Sequence, residues 1–467
     1  MRNAISGWFA KAVDAPRDIA ALAVFRILIG SLMCFGAIRF MSRGWIERLY
    51  LDPVFYFKYW GFEWVVVPGE TGLYLLFSAI AVSALLVALG LFYRFAIVAF
   101  WLLFTYAELM DVTGYLNHYY FISMVTFIMC FLSPHGAWSI DAILKPRIRR
   151  DYLPSWQTYW LRFQVGLLYF YAGLAKFESD WLLHAQPLNI WLPPHSGLPL
   201  LGPLLELPLI HHVFSWFAFL FDTLIIAFML WRKTRLYAFF VILVFHYFTY
   251  LFFNIGLFPL IMVFSVLIFF DADWPRKWLA MAKIPMRVSH LPVSHYAQNA
   301  WISGRAAAIV FVVAFCLVQF ITPLRHLGYP GSVLWHEQGM RYSWRVMLRE
   351  KTGSVQYRVV DSKGSAVFVS PRRYLTEDQY REMSGQPDLI LQLGHHISED
   401  FNNRGVGPVE VYADARVSLN GRQARPIIYP DIDLTKIKDG MAPASWITPS
   451  PEQPPPLHRA LKLVNHP

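Results

Sequence analysis

Charge and cysteine are both scarce in this chain of 467 residues. Only 15% of its residues are charged and three are cysteine, whereas 56% are hydrophobic and 17% aromatic. So little charge against so much apolar surface excludes an ordinary soluble protein of this length. Cys34, Cys130 and Cys316 fall in apolar stretches with no CxxC among them, so a disulfide framework and a cysteine metal site are excluded and packing is their expected use. A P-loop, a GxGxxG fingerprint and an HExxH helix are also missing, since "HEQGM" at His336 lacks the second histidine. His211 with His212, and His395 with His396, lack the spacing and companions of a metal site, so no metal is expected. The N-terminus shows no small-residue cleavage site after a short apolar core, so the first apolar span is expected to stay as an anchor.

What the chain has in quantity is apolar runs. Windows near 18–41, 72–92, 95–111, 119–133, 158–176, 212–231, 236–252, 255–270 and 306–322 each approach the roughly 20 residues a helix needs to cross about 30 Å of hydrocarbon. The expected fold class is a mainly α membrane protein, a polytopic bundle of about nine transmembrane helices. Basic residues favour alternate connections. Arg2, Lys11 and Arg17 precede the first window, Arg94 follows the second, and Lys145, Arg147, Arg149 and Arg150 follow the fourth. Arg232, Lys233 and Arg235 fill the sixth-to-seventh turn, and Arg276, Lys277, Lys283 and Arg287 precede the last window. The opposite connections hold few beyond Lys176, with Arg43, Arg48 and Lys58 of the first outer loop as the exception. The positive-inside rule then puts the N-terminus in the cytoplasm and, with nine spans, the C-terminal region outside. The formal net charge of +10 calls for no nucleic acid, because juxtamembrane basic residues facing anionic lipid account for much of it.

Past residue 322 the pattern changes. "VQYRVVD", "AVFVS" and "VEVYADARVSLNG" alternate short β-rich runs with turn residues. Between them, "TEDQYREMSGQPDLILQLGHHISEDF" reads as helix, break and helix, with Thr376 and nearby Asp378 as a cap. The expected organisation is a membrane bundle over 1–322, an extramembrane α+β domain over 323–445 and a Pro-rich tail over 446–467.

Polar residues inside apolar windows are the candidates for chemistry, because each costs several kcal/mol by insertion scales and needs a partner or a job. Arg26 in "VFRILIG", Arg162 in "WLRFQVG" and Asp222 in "FLFDTLI" read first as structural ion pairs, with Asp222 neutralising one arginine or the other. Asn117, His118, Lys176, His246 and Asn254 all approach the outer side of the bilayer. Together they form a candidate site open to a lipid-soluble molecule and covered by the C-terminal domain. The histidines also have a packing reading. Lys176, in "YFYAGLAKFESDW", has two: a span-end amine that snorkels to the interface, or a desolvated amine usable as a general base. Chemistry alone leaves these even.

The same stretch resembles the signature of the vitamin K-dependent γ-carboxylase family, an apolar run, a small-residue turn, the lysine, then an acid before Trp. "GYLNHYYF", "FHYFTYLFFNIGLFP", "PLRHLGYPGSVLWHEQGMRYSWRVMLREKTG" and "VSLNGRQARPIIYPDIDL" resemble further segments in the same order, from Phe25 to roughly Leu434. The resemblance implies that Lys176 deprotonates reduced vitamin K, a phylloquinone- or menaquinone-type hydroquinone. Its reaction with O2 then yields a base strong enough to remove the γ-proton of a protein glutamate. CO2 adds there, and the quinone leaves as the epoxide. A γ-proton is far too weakly acidic for an amine, so a dry site and coupled oxygenation are required. The resemblance also makes His118 the second catalytic residue, with Asn117 beside it. His246 falls in the quinone pocket, with Asn254, Arg26, Arg162 and Asp222 as further cofactor-binding candidates, and Tyr342 and Trp344 as glutamate contacts.

The chain is shorter than the animal enzymes and has no N-glycosylation sequon. The expectation is a bacterial homologue in the inner membrane, with a periplasmic C-terminal domain, and with membrane lipid, quinone and an exported glutamate-containing protein as partners. Two alternatives are a quinol epoxidase that carboxylates no peptide and a non-catalytic quinone or lipid binder.

Overall fold

The computed structural model describes residues 13–284 and 305–456. Arg2, Lys11 and Arg287 of the charge pattern, and the tail beyond residue 456, lie outside the described residues. Helices occupy all nine apolar windows: α1 Ala20–Ser42, α2 Glu70–Leu89, α3 Tyr93–Leu109, α4 Asn117–Phe131, α5 Trp156–Leu174, α6 Pro208–Leu230, α7 Arg235–Phe252, α8 Phe258–Val266 and α9 Arg305–Ile321.

Among the described residues, five of the helices, or six if a bent pair counts as one span, are long and apolar enough to cross a membrane. The five are α1, α2, α6, α7 and the continuation of α9, Ala307–Gly328; the sixth would join Phe258–Phe269 to Trp274–Met281 across a 96° bend. The others fall short for visible reasons. α3, α4 and α8 have 17, 15 and 9 residues. α5 carries Gln157 and Gln164, both buried inside the protein, so its composition answers to protein neighbours rather than to lipid.

Two short strands, β1 Pro16–Asp18 and β2 Tyr152–Pro154, pair antiparallel and tie the start of α1 to the start of α5. α2 stops at Gly90, whose φ of +63° is the left-handed conformation glycine adopts without a Cβ penalty. α5 and α6 approach closely at Gly173. A Cβ there would lie 2.5 Å from Thr223 Oγ1 and 2.8 Å from Thr223 N, so only glycine permits this separation.

The C-terminal region carries a four-stranded antiparallel sheet in the order β4-β3-β5-β6, with β3 Lys351–Val360, β4 Ala366–Val369, β5 Glu410–Leu419 and β6 Arg425–Pro426. Alternate residues of β5, Val411, Ala413, Ala415, Val417 and Leu419, are buried, as the two-residue side-chain period of a one-faced strand requires. Two helices follow β4: α10 Glu377–Met383 and α11 Pro387–Asn403. Leu389, Ile390, Leu393 and Ile397 of α11 are buried in the same apolar core as those β5 residues. Thr376 caps α10 as expected, but its capping-box partner is Gln379, not Asp378. Asp378 instead holds Arg48 of the first outer loop at 2.6 Å. Thus a basic exception to the charge pattern is a contact with the C-terminal region. Gln379 to Asp111 at 2.8 Å, and Gln392 to the Lys58 backbone at 2.9 and 3.0 Å, join the same two parts.

Candidate functional site

At the end of the bundle nearest the C-terminal region lies a cavity of about 450 Å³, walled by α5, α6, α7, α8 and the segment at Val346 and Met347. Its lining is almost wholly apolar and aromatic; Lys176, Asp222 and His246 join the Tyr169 phenol as the ionisable groups in it. A cavity of this size and character suits a small organic ligand. Phe217 on α6 and Val244 on α7 line it and are exposed on the outer surface as well.

Lys176 follows the last turn of α5 and turns inward. Its Nζ donates to Asp222 Oδ2 at 2.7 Å and to the Ala172 carbonyl at 3.1 Å, and sits 5.2 Å from the centre of the Trp181 ring. Both side chains of the pair are sealed from solvent, at 6% and 8% exposure, so this is a buried ion pair and not a snorkelling anchor. Asp222 reaches Lys176 because Gly173 lets α5 and α6 touch one residue away, at Thr223.

Asp222 therefore neutralises neither arginine, contrary to the sequence expectation. Arg26 donates to the carbonyls of Val87, Ala88 and Trp138 at 2.8, 2.5 and 2.6 Å. The first two lie in the last turn of α2, where the helix dipole favours a cation. Arg162 donates to the Ile268 and Phe270 carbonyls at 2.9 and 3.1 Å. Both arginines lie at the opposite end of the bundle and neither lines the cavity. Backbone carbonyls take the place of a carboxylate at both, although the buried Nε of Arg26 has no partner among the described residues.

The remaining candidates are brought together in part. His246 lines the cavity, its Nε2 is 3.0 Å from Tyr169 Oη, and its buried Nδ1 has no partner among the described residues. His118 is buried but stands behind the wall: the Phe258 ring lies between the histidines, 5.6 Å from His118 and 5.8 Å from His246. Asn117 Nδ2 donates to the Arg345 carbonyl at 3.3 Å and does not reach the cavity. Asn254 is exposed, while its neighbours Phe253 and Ile255 line the wall.

Tyr342 and Trp344 also stand outside the cavity. Trp344 is 0% exposed and stacks on Tyr120 at 4.8 Å, with its indole Nε1 lacking a partner among the described residues. Tyr342 packs against Tyr115 and Tyr120. Positive φ values at Tyr342, Trp344 and Met347 (62°, 58° and 56°) fold this segment sharply. The turn tucks Trp344 under α4 while Met347 reaches the cavity. Strained non-glycine backbone of this kind persists only where the surroundings over-determine it.

The acids after Lys176 fasten it to the C-terminal region. Glu178 pairs with Arg345 at 3.3 Å. Asp180 takes two bonds of 2.6 Å from Arg422 and one of 2.8 Å from Asn420, on the turn between β5 and β6. Burial pushes the Glu178 carboxyl above its ordinary range against the pull of Arg345. Burial also acts to raise Asp180, but the bonds from Arg422 and Asn420 outweigh it and hold this carboxyl below the ordinary range. Sequence reading missed the Asp222 partnership, Trp181, and the role of Glu178 and Asp180 as inter-region fasteners. A second buried lysine, Lys351, is pushed down to about 8 by burial despite Glu337 at 2.7 Å, but it does not line the cavity.

Residues 15–274 match the HTTM domain, and residues 305–453 match the lumenal domain of vitamin K-dependent gamma-carboxylase. No solved structure matches the chain. With both parts matched in order, the chain belongs to the vitamin K-dependent gamma-carboxylase family.

Proposed function

We propose that the cavity binds reduced vitamin K or a related hydroquinone and that Lys176 is the base that takes its proton. The observation carrying this reading is a lysine buried at a carboxylate in an otherwise largely apolar cavity. The residues fit such a ligand: aromatic walls suit a flat ring, the apolar lining suits an isoprenoid tail, and the orphan Nδ1 of His246 suits a ring hydroxyl. The bound hydroquinone supplies, with O2, the strong base that CO2 addition at a glutamate γ-carbon requires.

The chain's own part is proton handling in a dry site. Moving one proton from Lys176 Nζ to Asp222 along their 2.7 Å bond turns ammonium and carboxylate into amine and carboxylic acid. Net charge is unchanged, so no ion is newly stranded in low dielectric. The amine so exposed accepts the hydroxyl proton. Tyr169 orients His246, and Phe258 couples that ring to His118, which then acts as a positioning residue behind the wall.

In this reading 1–322 is the catalytic membrane domain, 323–445 the α+β domain on the far side of the membrane, and 446–467 the tail. The full nine-helix bundle, the cytoplasmic N-terminus and a bacterial inner-membrane location belong to the same proposal, as do menaquinone and an exported glutamate-containing protein.

A second reading, quinol epoxidation without a peptide, is favoured by the complete burial of Trp344; the unpartnered indole Nε1 of the same residue favours a glutamate contact. One experiment separates them. Membranes containing the protein receive reduced vitamin K and O2, and epoxide is assayed with and without a glutamate peptide and labelled CO2. Epoxide with labelled peptide supports the carboxylase; epoxide alone supports the second reading; no epoxide from folded protein refutes both.

A further inference from the structure

The opposite, basic end of the bundle holds a second cavity, of about 470 Å³, lined by Arg17, Tyr159, Arg162, Leu230, Arg235 and Asp271 with Ala272. Arg162 stands fourteen positions before Lys176, so the two cavities are roughly 20 Å apart along α5 at 1.5 Å per residue. Three guanidinium groups share this space with one carboxylate, and that carboxylate is already engaged by Arg235 at 2.8 Å and Arg232 at 3.4 Å. The other acids nearby are held elsewhere: Asp18 and Asp151 by Arg276 at 2.8 and 2.9 Å, and Asp273 by Lys277 at 2.9 Å.

Arg17 and Arg162 are held in place without an acid. Arg17 donates to Tyr159 Oη at 2.6 Å and lies 4.6 Å from the centre of that ring, and Arg162 lies 5.9 Å from the same ring. Backbone carbonyls fix Arg162 as described, and Arg235 donates to the Met229 carbonyl at 2.9 Å. Like charges gathered in a partly desolvated cavity repel one another unless an anion joins them. Planar guanidinium forks match phosphate oxygens. Beside the cavity, Leu230, Trp231, Leu236 and Tyr237 are exposed apolar residues at the ends of α6 and α7, where lipid chains and their headgroups meet.

We propose that this cavity binds a phosphate ester, the headgroup phosphate of an anionic phospholipid, with its acyl chains along the exposed faces of α6 and α7. Basic pockets between membrane helices on the cytoplasmic side recognise such headgroups, and this is the end the positive-inside rule assigns there.

The test uses the full chain in neutral detergent and follows thermal unfolding with added phosphatidylglycerol, phosphatidylcholine or inorganic phosphate. Phosphatidylglycerol is expected to raise the Tm and phosphatidylcholine to leave it unchanged. Arg17→Gln is expected to bind phosphatidylglycerol about fivefold more weakly, while Arg147→Gln, at an exposed basic residue of the same end that does not line this cavity, binds as the wild type. An equal shift from millimolar inorganic phosphate, lost in Arg17→Gln, would support the site and assign it to free phosphate. Equal shifts in the wild type and both variants would mean attraction to the surface at large and overturn the proposal, as would no shift at all. Should Arg17→Gln not fold, Arg17→Lys keeps the charge and loses the fork; wild-type binding in that variant overturns the cradle.

Discussion

Removing one member of the Lys176–Asp222 pair strands the other. With exposures of 6% and 8%, the pair lies outside the regime of surface ion pairs worth 0–1 kcal/mol. Breaking a buried pair costs about 3–5 kcal/mol, because the remaining charge has no partner, whereas replacing both members by apolar groups is close to neutral. Ala172 offers Lys176 a carbonyl at 3.1 Å, which hydrogen-bonds the ammonium without neutralising it. Lys176→Met and Asp222→Leu should therefore each lower stability by about 3 kcal/mol or more. The double variant should unfold near the wild type, giving a coupling of about 6 kcal/mol. The assay is thermal unfolding of all four proteins in one detergent, with epoxide formation measured in parallel. The double variant is expected to be stable and inactive, which separates loss of chemistry from loss of fold. Additive destabilisation in the double variant would refute the pair as a unit.

Two further outcomes follow from geometry. Gly173→Ala places a methyl against Thr223, should cost about 1–3 kcal/mol, and should weaken epoxide formation by parting Lys176 from Asp222; wild-type stability and rate would contradict this. Asp180 is held below its ordinary range, so the stability it contributes is present above about pH 4 and is lost as pH falls through its lowered folded value. The gap in Tm between wild type and Asp180→Asn should therefore be open at pH 7 and close on acidification, and a gap that stays constant to pH 3 would contradict the role given to Arg422 and Asn420.

Much of the architecture was legible because periodicity and composition are local. The nine apolar windows each became a helix, and the alternation in "VEVYADARVSL" became β5. The number of spans was less legible. α5 is apolar enough to be noticed, but Gln157, Arg162 and Gln164 show that protein, not lipid, surrounds much of it. Lys176 could be singled out from its setting in "YFYAGLAKFESDW", yet its partner could not, because Asp222 comes close only through a helix contact set by Gly173. The arginines drew Asp222 in the sequence reading because a buried cation calls for an acid. Backbone carbonyls answered instead, and such acceptors carry no sequence signal. Glu178 and Asp180 were visible as an acidic pair beside the lysine, but their partners lie in a region joined to them only by the fold.

The central claim is that Lys176 takes a proton from a hydroquinone held in the apolar cavity. Its most direct test is epoxide formation from reduced vitamin K and O2 by purified Lys176→Ala, beside wild type of equal monodispersity. Loss of a general base predicts a fall of about 10²–10⁴-fold; turnover at the wild-type rate would contradict the assignment.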